Sequence, residues 1–248
     1  MAAIWQLAYN AEVISPLILP SPGETFGELL FVGGNILAGD YVFEGMFASA
    51  RAILAGFMLA VALGFLLGSV VGETRFGERV IMPYLVAVDA SPKIAFAPLI
   101  IAWLGFGLNS KIAMAAFVSF FPMLVNTAAG LYSTERDSLM LFQSMEATRW
   151  QTFRQLKLPT ALPYVFAGMK IAAVSSVVGA VVAEYLGGGT GMGELVRVSA
   201  TQLRVARVLA LIFYLSLVGL FLFGLMGWLQ RRLVFWHEPD TTETTGAA

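Results

Sequence analysis

The order of apolar and polar residues along the chain predicts helices that cross a membrane. A transmembrane helix needs about 20 consecutive residues that are predominantly apolar. Stretches of this kind recur along the chain, with short polar segments between them. We predict membrane spans over residues 48–71, 80–104, 111–131, 161–186 and 208–229. The pattern therefore indicates an all-α, polytopic membrane helical bundle.

The N-terminal region, residues 1–47, fits this pattern less well. Its beginning is apolar but is interrupted at three positions: Asn10, Glu12 and Pro16. We therefore predict a partial first span or an interfacial helix there. A Pro-Ser-Pro-Gly sequence then breaks any helix. Residues 24–37 predict a second helix, which is weakly amphipathic.

Small residues recur every four positions in the 48–71 span: Gly56, Ala60, Gly64 and Gly68. This spacing places them on one face of a helix. Small side chains on one face let two membrane helices approach closely. We therefore predict that another span packs tightly against this face.

A polar insert, residues 133–160, separates two strongly apolar spans. It carries charges of both signs, at Glu135, Arg136, Asp137, Glu146, Arg149, Arg154 and Lys157. It also keeps apolar residues at helical spacing, at Leu139, Phe142, Met145, Trp150, Phe153 and Leu156. We predict one or two short amphipathic helices that end at Pro159 and Pro163. Such an insert is a natural docking surface for a partner on one side of the membrane.

Composition supports the membrane assignment and excludes several classes of protein. Apolar residues make up 58% of the chain and charged residues 12%, against roughly 45–50% and about 25% in soluble domains. The net charge of −1 argues against a nucleic-acid partner. The absence of cysteine excludes a disulfide framework, a thiolate nucleophile and a cysteine-ligated metal. The one histidine, His237, reads as a solvated residue of a disordered tail over residues 233–248.

Basic residues indicate the orientation, because cytoplasmic segments carry an excess of Lys and Arg. With the polar insert in the cytoplasm, eight basic residues fall inside: Arg75, Arg79, Arg136, Arg149, Arg154, Lys157, Arg231 and Arg232. Five basic residues count against this orientation: Arg51, Lys111 and the three that follow the 161–186 span and fall outside, Arg197, Arg204 and Arg207. The balance favours a cytoplasmic insert and a cytoplasmic C-terminal tail in an inner-membrane protein.

A polar group interrupts the 80–104 span at Asp89, Ser91, Pro92 and Lys93. A charge at membrane depth costs roughly 2.5–3.5 kcal/mol and usually faces protein or a water-filled path. Pro92 also bends a helix and frees a backbone carbonyl. One interpretation is a polar bend that lines a translocation path. The alternative is an ion pair four residues apart that neutralises itself against a neighbouring helix.

Two interpretations apply to each of several other polar residues within the spans. Ser175 and Ser176 fit a translocation path, but serine in a membrane helix more often bonds to a carbonyl one turn earlier. Asn126 and Ser119 fit a path or, more readily, hydrogen bonds between helices. Glu184 lies near the end of its span, where we expect it to be solvated.

The glycine-rich run from Gly187 to Gly193 does not fit a nucleotide site. Its glycines do not match G-x-G-x-x-G, and no Lys-Ser/Thr pair follows. We interpret this run as a flexible or re-entrant turn. Because no catalytic set of residues appears elsewhere, we expect the chain not to be an enzyme and to bind no cofactor and no ATP of its own.

The end of the insert and its flanks carry a family resemblance. Leu156-Lys157-Leu158-Pro159 is similar to the I-x-L-P end of the cytoplasmic motif E-A-A-x-x-x-G-x9-I-x-L-P of binding-protein-dependent ABC importer permeases. The flanks Leu19-Pro-Ser-Pro and Ala97-Pro-Leu-Ile-Ile-Ala-Trp-Leu-Gly-Phe-Gly resemble the permeases of nitrate, sulfonate, taurine and bicarbonate importers. Thr190-Gly-Met-Gly193 resembles relatives for thiamine-precursor pyrimidines or riboflavin.

This resemblance implies a type I ABC importer permease fold with cytoplasmic coupling helices. It implies as partners a cytoplasmic ABC ATPase dimer that binds the ATP, a second permease copy in a homodimer, an external solute-binding protein and membrane lipid. The solute would be a sulfonate-like or nitrate-like anion or a thiamine-precursor-like heterocycle. The resemblance places the ATPase-coupling surface at Met140, Leu141, Phe142, Met145, Glu146, Ala147, Thr148 and Arg149. An ion-coupled secondary transporter or channel is the alternative.

The sequence departs from the family motif at two places. Glu146 stands where the family has glycine, and Met140, Leu141 and Phe142 stand where it has E-A-A. A glycine there indicates a turn with positive φ, which glutamate tolerates poorly. Either the turn is a more regular helix, or strain is accepted, or the ATPase surface differs.

Overall fold

The computed structural model describes Trp5, Gln6, Tyr9, residues 19–74 and residues 76–236. Within these residues all regular secondary structure is helical. The expectations for most of the first 18 residues, for His237 and for most of the tail lie outside the described residues.

Ten α-helices follow one another in the described part of the chain. They are α1 (Pro22–Ala38), α2 (Tyr41–Gly72), α3 (Met82–Asp89), α4 (Ala97–Leu104), α5 (Leu108–Tyr132), α6 (Arg136–Ser144), α7 (Arg149–Thr152), α8 (Leu158–Gly187), α9 (Met192–Thr201) and α10 (Val205–Leu233). A π-helical turn precedes α3 (Gly77–Ile81), a 3-10 turn precedes α4 (Lys93–Phe96) and a second π-helical turn precedes α8 (Phe153–Lys157). The helices α2, α5, α8 and α10 are long and apolar enough to cross a membrane.

The predicted span over residues 80–104 is not one straight helix. Its two halves, Gly77–Asp89 and Lys93–Leu104, meet at an angle of 78°. The break falls at Ser91 and Pro92, because proline disfavours a helical conformation in the residue before it and donates no backbone hydrogen bond. The bend predicted at Pro92 is confirmed. The pair counts as a fifth span only if the bent halves are taken together.

Three spans, α2, α5 and α8, form a closely packed core unit. A Cβ atom added to Gly56 of α2 would come within 2.4 Å of the Ala115 Cβ atom of α5. On the other side of α5, a Cβ atom at Gly179 of α8 would lie 2.7 Å from the Met114 carbonyl oxygen. The predicted close approach at the small residues of α2 is confirmed. A small residue also lets α8 approach α5 closely. The backbones of α2, α5 and α8 therefore lie directly against one another.

A second unit forms where α1 packs against α10. Arg207 donates two hydrogen bonds to the Glu28 carboxylate, at 2.9 and 3.1 Å. Its guanidinium also lies 4.7 Å from the centre of the Phe31 ring. Further along, the Tyr214 hydroxyl donates to the Leu29 carbonyl oxygen at 3.1 Å. These contacts tie about one turn of α1 to about two turns of α10.

The start of α1 explains why the Pro-Ser-Pro-Gly sequence bounds a helix. The Ser21 hydroxyl accepts a hydrogen bond from the Glu24 backbone N–H at 3.1 Å, and the Glu24 carboxylate accepts one from the Ser21 N–H at 3.0 Å. This reciprocal cap satisfies two backbone donors that a helix start leaves free. Pro22 fits the first turn because it has no N–H to satisfy.

The predicted helix ends at Pro159 and Pro163 are wrong. Both prolines lie in α8, which continues from α7 through the π-helical turn. Pro159 falls in the first turn of α8, where a missing N–H costs little. The Leu158 N–H donates to the Phe153 carbonyl oxygen, so the wider turn keeps the backbone bonded just before the prolines.

Candidate functional site: the coupling segment, the bent span and the α9 anchor

The segment between α5 and α8, here called the coupling segment (residues 133–157), presents apolar side chains outward. Met140 is 49% exposed, Leu141 58% and Met145 70%. Phe142 and Ala147 are half-buried beneath them. Exposed methionine and leucine side chains form an adaptable contact surface. Helix α6 carries this surface, as the amphipathic pattern predicts.

The turn after α6 keeps a left-handed residue, at Glu146 with φ of +55°. The Glu146 N–H donates to the Gln143 carbonyl oxygen and the Ala147 N–H to the Phe142 carbonyl oxygen, both at 3.0 Å. This pair of bonds defines a Schellman helix end, whose left-handed position is usually glycine. The structure therefore accepts the strain at Glu146. A left-handed residue other than glycine costs roughly 1–2 kcal/mol.

Two residues later a second cap begins α7. The Thr148 hydroxyl accepts from the Gln151 backbone N–H at 3.3 Å, and the Gln151 side chain accepts from the Thr148 N–H at 2.8 Å. The turn between α6 and α7 is thus bonded on both sides, which fixes the direction of each helix. Behind it, Trp150 stacks on Phe153 with ring centres 5.7 Å apart.

The coupling segment is joined to the core unit at three points. It continues directly into α5 at one end and into α8 at the other. Lys157 also pairs with Glu73, just beyond the end of α2, at 3.1 Å. Nearby, the Tyr132 hydroxyl donates to the Val71 carbonyl oxygen at 2.7 Å. The segment is therefore connected to all three core helices.

The polar group of the bent span forms an internal ion pair. Lys93 Nζ lies 2.5 Å from Asp89 Oδ1 and also donates to the Asp89 carbonyl oxygen at 2.7 Å. The Ser91 hydroxyl donates to the Val88 carbonyl oxygen at 2.6 Å. Lys93 also lies 5.7 Å from the centre of the Phe121 ring of α5. The ion pair predicted as the alternative is present, and it sits at the 78° break.

The remaining path candidates bond within their own helices. Asn126 donates to the Pro122 carbonyl oxygen at 2.8 Å, and Ser176 to the Ala173 carbonyl oxygen at 2.7 Å. Ser175 is half-buried on the same helix as Ser176. The expected back-bonding is confirmed for Ser176. The preference for interhelical bonds is wrong for Asn126, and the buried Ser119 hydroxyl has no hydrogen-bond partner in the described part of the chain.

Glu184 is fully buried, so the expectation that it is solvated is wrong. Its two carboxylate oxygens accept from the Ser49 hydroxyl of α2, each at 2.8 Å. One of them also accepts from the Gly193 N–H at 2.9 Å. The Met192 N–H in turn donates to the Ser49 hydroxyl oxygen at 2.8 Å. A carboxylate of α8 therefore closes the N-terminal end of α9.

The glycine-rich turn is built around this carboxylate. Gly188, Gly189 and Gly191 all have positive φ. A Cβ atom at Gly191 would come within 2.3 Å of the Glu184 side chain, so only glycine fits there. Lys111 of α5, itself buried, donates to the Thr190 carbonyl oxygen and lies close enough to act on Glu184 electrostatically. The turn is anchored to three spans.

Sequence reasoning missed α9 and the partner of Glu184. The one local signal was an acidic residue at the end of an apolar span, directly before several glycines. The outward face of α9 carries a Glu194–Arg197 pair with nitrogen–oxygen distances of 2.8 and 2.5 Å. The hydrogen bond that Arg197 donates to the Glu194 carboxylate raises the pKa of Arg197, which keeps that side chain charged.

Taken together, the helical bundle, the exposed insert and the bent span are those of a membrane permease. Residues 60–235 match the family described as binding-protein-dependent transport system inner membrane component. The chain belongs to this family of ABC importer permeases and is a multi-pass inner membrane protein. The family implies an ATPase and a solute-binding protein as partners.

Three relatives show the range of solutes named for similar permeases. The chain is 35% identical over 241 residues to the formylaminopyrimidine transport permease protein ThiX of Halalkalibacterium halodurans, covering 97% of this chain and 94% of ThiX. It is 33% identical to the riboflavin transport system permease protein RibX of Chloroflexus aurantiacus, covering 96% and 87%. It is 29% identical to the taurine transport system permease protein TauC of Escherichia coli, covering 96% and 86%.

Proposed function

We propose that the chain is the permease subunit of an ATP-driven importer, that it is not itself an enzyme, and that its coupling segment docks on a cytoplasmic ABC ATPase. The observation that carries this is the exposed apolar surface at Met140, Leu141 and Met145. Two helix caps hold this surface rigidly, and the segment that bears it leads directly into two core spans. Phe142 and Ala147 support the surface from beneath, and Glu146, Thr148 and Arg149 form its rim.

The proposed solute is small. Relatives named for formylaminopyrimidine and riboflavin share 35% and 33% of residues with the chain, whereas the taurine relative shares 29%. This difference favours a thiamine-precursor-like heterocycle over a sulfonate-like or nitrate-like anion. Measuring which of these compounds the cognate solute-binding protein retains tests the choice, and retention of taurine or nitrate alone would reverse it.

The proposed translocation path runs beside the bent span, between two copies of the chain. Irregular backbone at membrane depth is tolerated only against protein or a water-filled cavity, not against lipid. The break at Ser91 and Pro92, with the Asp89–Lys93 pair beside it, is such a region. Around it Tyr84 and Trp103 are more than two-thirds exposed. A second copy covering this face in a homodimer would line the path, with Asn126, Ser175 and Ser176 deeper in each bundle.

Co-purification with the ATPase tests the coupling surface. The double substitution Leu141→Ser and Met145→Ser removes apolar contact area from exposed positions, so the fold should persist while the ATPase is lost from the complex. Leu203→Ser is the matched control, because Leu203 is also an exposed leucine, at 61%, but lies beyond the other end of α8. Retention of the ATPase by the double variant would contradict the proposal.

An ion-coupled secondary transporter is the second candidate, and the Asp89–Lys93 pair is the observation that favours it. Uptake into cells that lack the ATPase separates the two functions. Uptake that persists there and collapses when the ion gradient is removed would establish the second candidate. Loss of uptake with the ATPase supports the importer.

A further inference from the structure

The N-terminal end of α9 is held by other spans and not by its own turn. A helix start leaves its first backbone N–H groups without partners inside the helix. A serine or aspartate just before the helix normally accepts those bonds. Here that position is Gly191, and the acceptors are Ser49 of α2 and Glu184 of α8. The bonds join α9 to two other helices, α2 and α8.

This arrangement costs free energy, and the cost is explained only if the link between the helices has a role in the protein. Burying a carboxylate carries a desolvation penalty, which only complete pairing offsets. Glu184 meets that condition through Ser49, the Gly193 N–H and the positive end of α9. The buried Lys111 holds the Thr190 carbonyl oxygen of the same turn. A local cap would close α9 equally well without any buried charge.

The opposite side of α9 packs against the second unit of the fold. Met192 and Val196 share a buried apolar cluster with Val32 of α1 and with Leu211 and Leu215 of α10. Helix α9 therefore contacts both units. Its N-terminal end is bonded to α2 and α8, and its apolar side packs against α10.

We propose that Glu184, together with Ser49 and Lys111, is a positioning residue for transport: it clamps α9 to the core unit. The inference rests on the proposed function of the coupling segment. When the ATPase displaces that segment, α2, α5 and α8 move together. The clamp makes α9 follow at the other end of α8, roughly 45 Å away along a 30-residue helix.

Hydrogen exchange at the Met192 and Gly193 amides reports on the clamp directly, because neither donates to an acceptor inside α9. Glu184→Gln keeps the side-chain shape and removes the charge. We expect exchange of these two amides to accelerate roughly tenfold or more. Ser49→Ala, which keeps the charge, should accelerate the Met192 amide. Ser176→Ala is the matched control, since Ser176 is buried on α8 but bonds within it. Unchanged exchange in Glu184→Gln and in Ser49→Ala would overturn the clamp.

Spin labels on the assembled complex test whether the clamp transmits movement. The chain has no cysteine, so Leu54→Cys on α2 and Thr201→Cys on α9 take labels specifically, and both positions are exposed. Labelled permease diluted with unlabelled permease gives the distance within one chain. With Glu184 intact, we expect one narrow distance that trapping with ATP and vanadate leaves unchanged. With Glu184→Gln, trapping should broaden or shift it, while Thr127→Val, at a buried hydroxyl that bonds within α5, should behave as the parent does.

The outcomes separate the clamp from the function on which it rests. A distance that stays narrow and unchanged in Glu184→Gln, in a complex that still contains the ATPase, overturns the clamp alone. A parent permease that never assembles with the ATPase overturns the proposed function, and the transmission role falls with it. Intact assembly together with a shift confined to Glu184→Gln supports both.

Discussion

Glu146 holds a backbone conformation that glutamate rarely adopts. Its φ of +55° belongs to the left-handed region, and the surrounding bonds are those of a Schellman helix end. The family motif has glycine at this position, and the turn has kept its shape without it. The Glu146 backbone is therefore strained, at the centre of the proposed docking surface.

Replacing Glu146 by glycine should stabilise the protein and leave the turn in place. Relief of the strain, roughly 1–2 kcal/mol, exceeds the added flexibility of the unfolded chain, about 0.5–1 kcal/mol, so we expect a net gain of about 1 kcal/mol or less. Thermal unfolding in detergent measures it as a higher midpoint. Leu203→Gly is the matched control, because Leu203 also has a positive φ, of +56°, and lies away from the coupling segment. A lower midpoint for Glu146→Gly would show that the turn is not strained.

Glu184 shows why residue type alone misled the sequence interpretation. An acidic residue near the end of an apolar span is usually solvated. The residues that bury it are Ser49, 135 positions earlier, and Gly193, nine positions later. No periodicity in a short window of sequence carries information about a partner at such a distance. The preference for glycine at 191 follows only once the carboxylate is in place.

Among the helices, the positions of the spans were predictable and their shapes were not. Hydropathy located α2, α5, α8 and α10, because each must present apolar side chains to lipid along its length. Hydropathy did not give the 78° angle between α3 and α4, although Pro92 predicted a bend at that point. It also missed α9, whose start depends on bonds from α2 and α8.

The small residues of α2 gave the most reliable tertiary prediction. Gly56→Ala places a methyl group 2.4 Å from the Ala115 Cβ atom, so α2 and α5 must separate. We expect a loss of about 1–3 kcal/mol, as for other overpacked contacts, measured as a lower unfolding midpoint.

Gly27→Ala provides the comparison for that substitution. Among the described residues, no atom outside the neighbouring turns of α1 lies within 4 Å of a Cβ atom added at Gly27, and alanine favours a helix over glycine by about 1 kcal/mol. Gly27→Ala should therefore be neutral or stabilising. Equal midpoints for the two variants would contradict the close packing of α2 on α5.

On the scale of the whole molecule, the described helices form two units. They meet where α8 and α9 pack against α10. One is the core of α2, α5 and α8, with the coupling segment at one end. The other is α1 with α10, held by the Glu28–Arg207 pair. The ion pairs Glu73–Lys157 and Glu28–Arg207 lie on opposite units. This division supports a mechanism in which a rigid core, displaced from one end, carries the other unit with it.

The central claim is that the coupling segment contacts an ATPase. A single cysteine introduced as Met145→Cys tests it most directly, because the chain has no other thiol. Treated with a short thiol-to-amine cross-linker in membranes that contain the cognate ATPase, this variant should form a permease–ATPase product. Leu203→Cys, equally accessible beyond the other end of α8, should form none. Cross-linking from Leu203→Cys alone, or none from Met145→Cys in an intact complex, would contradict the account.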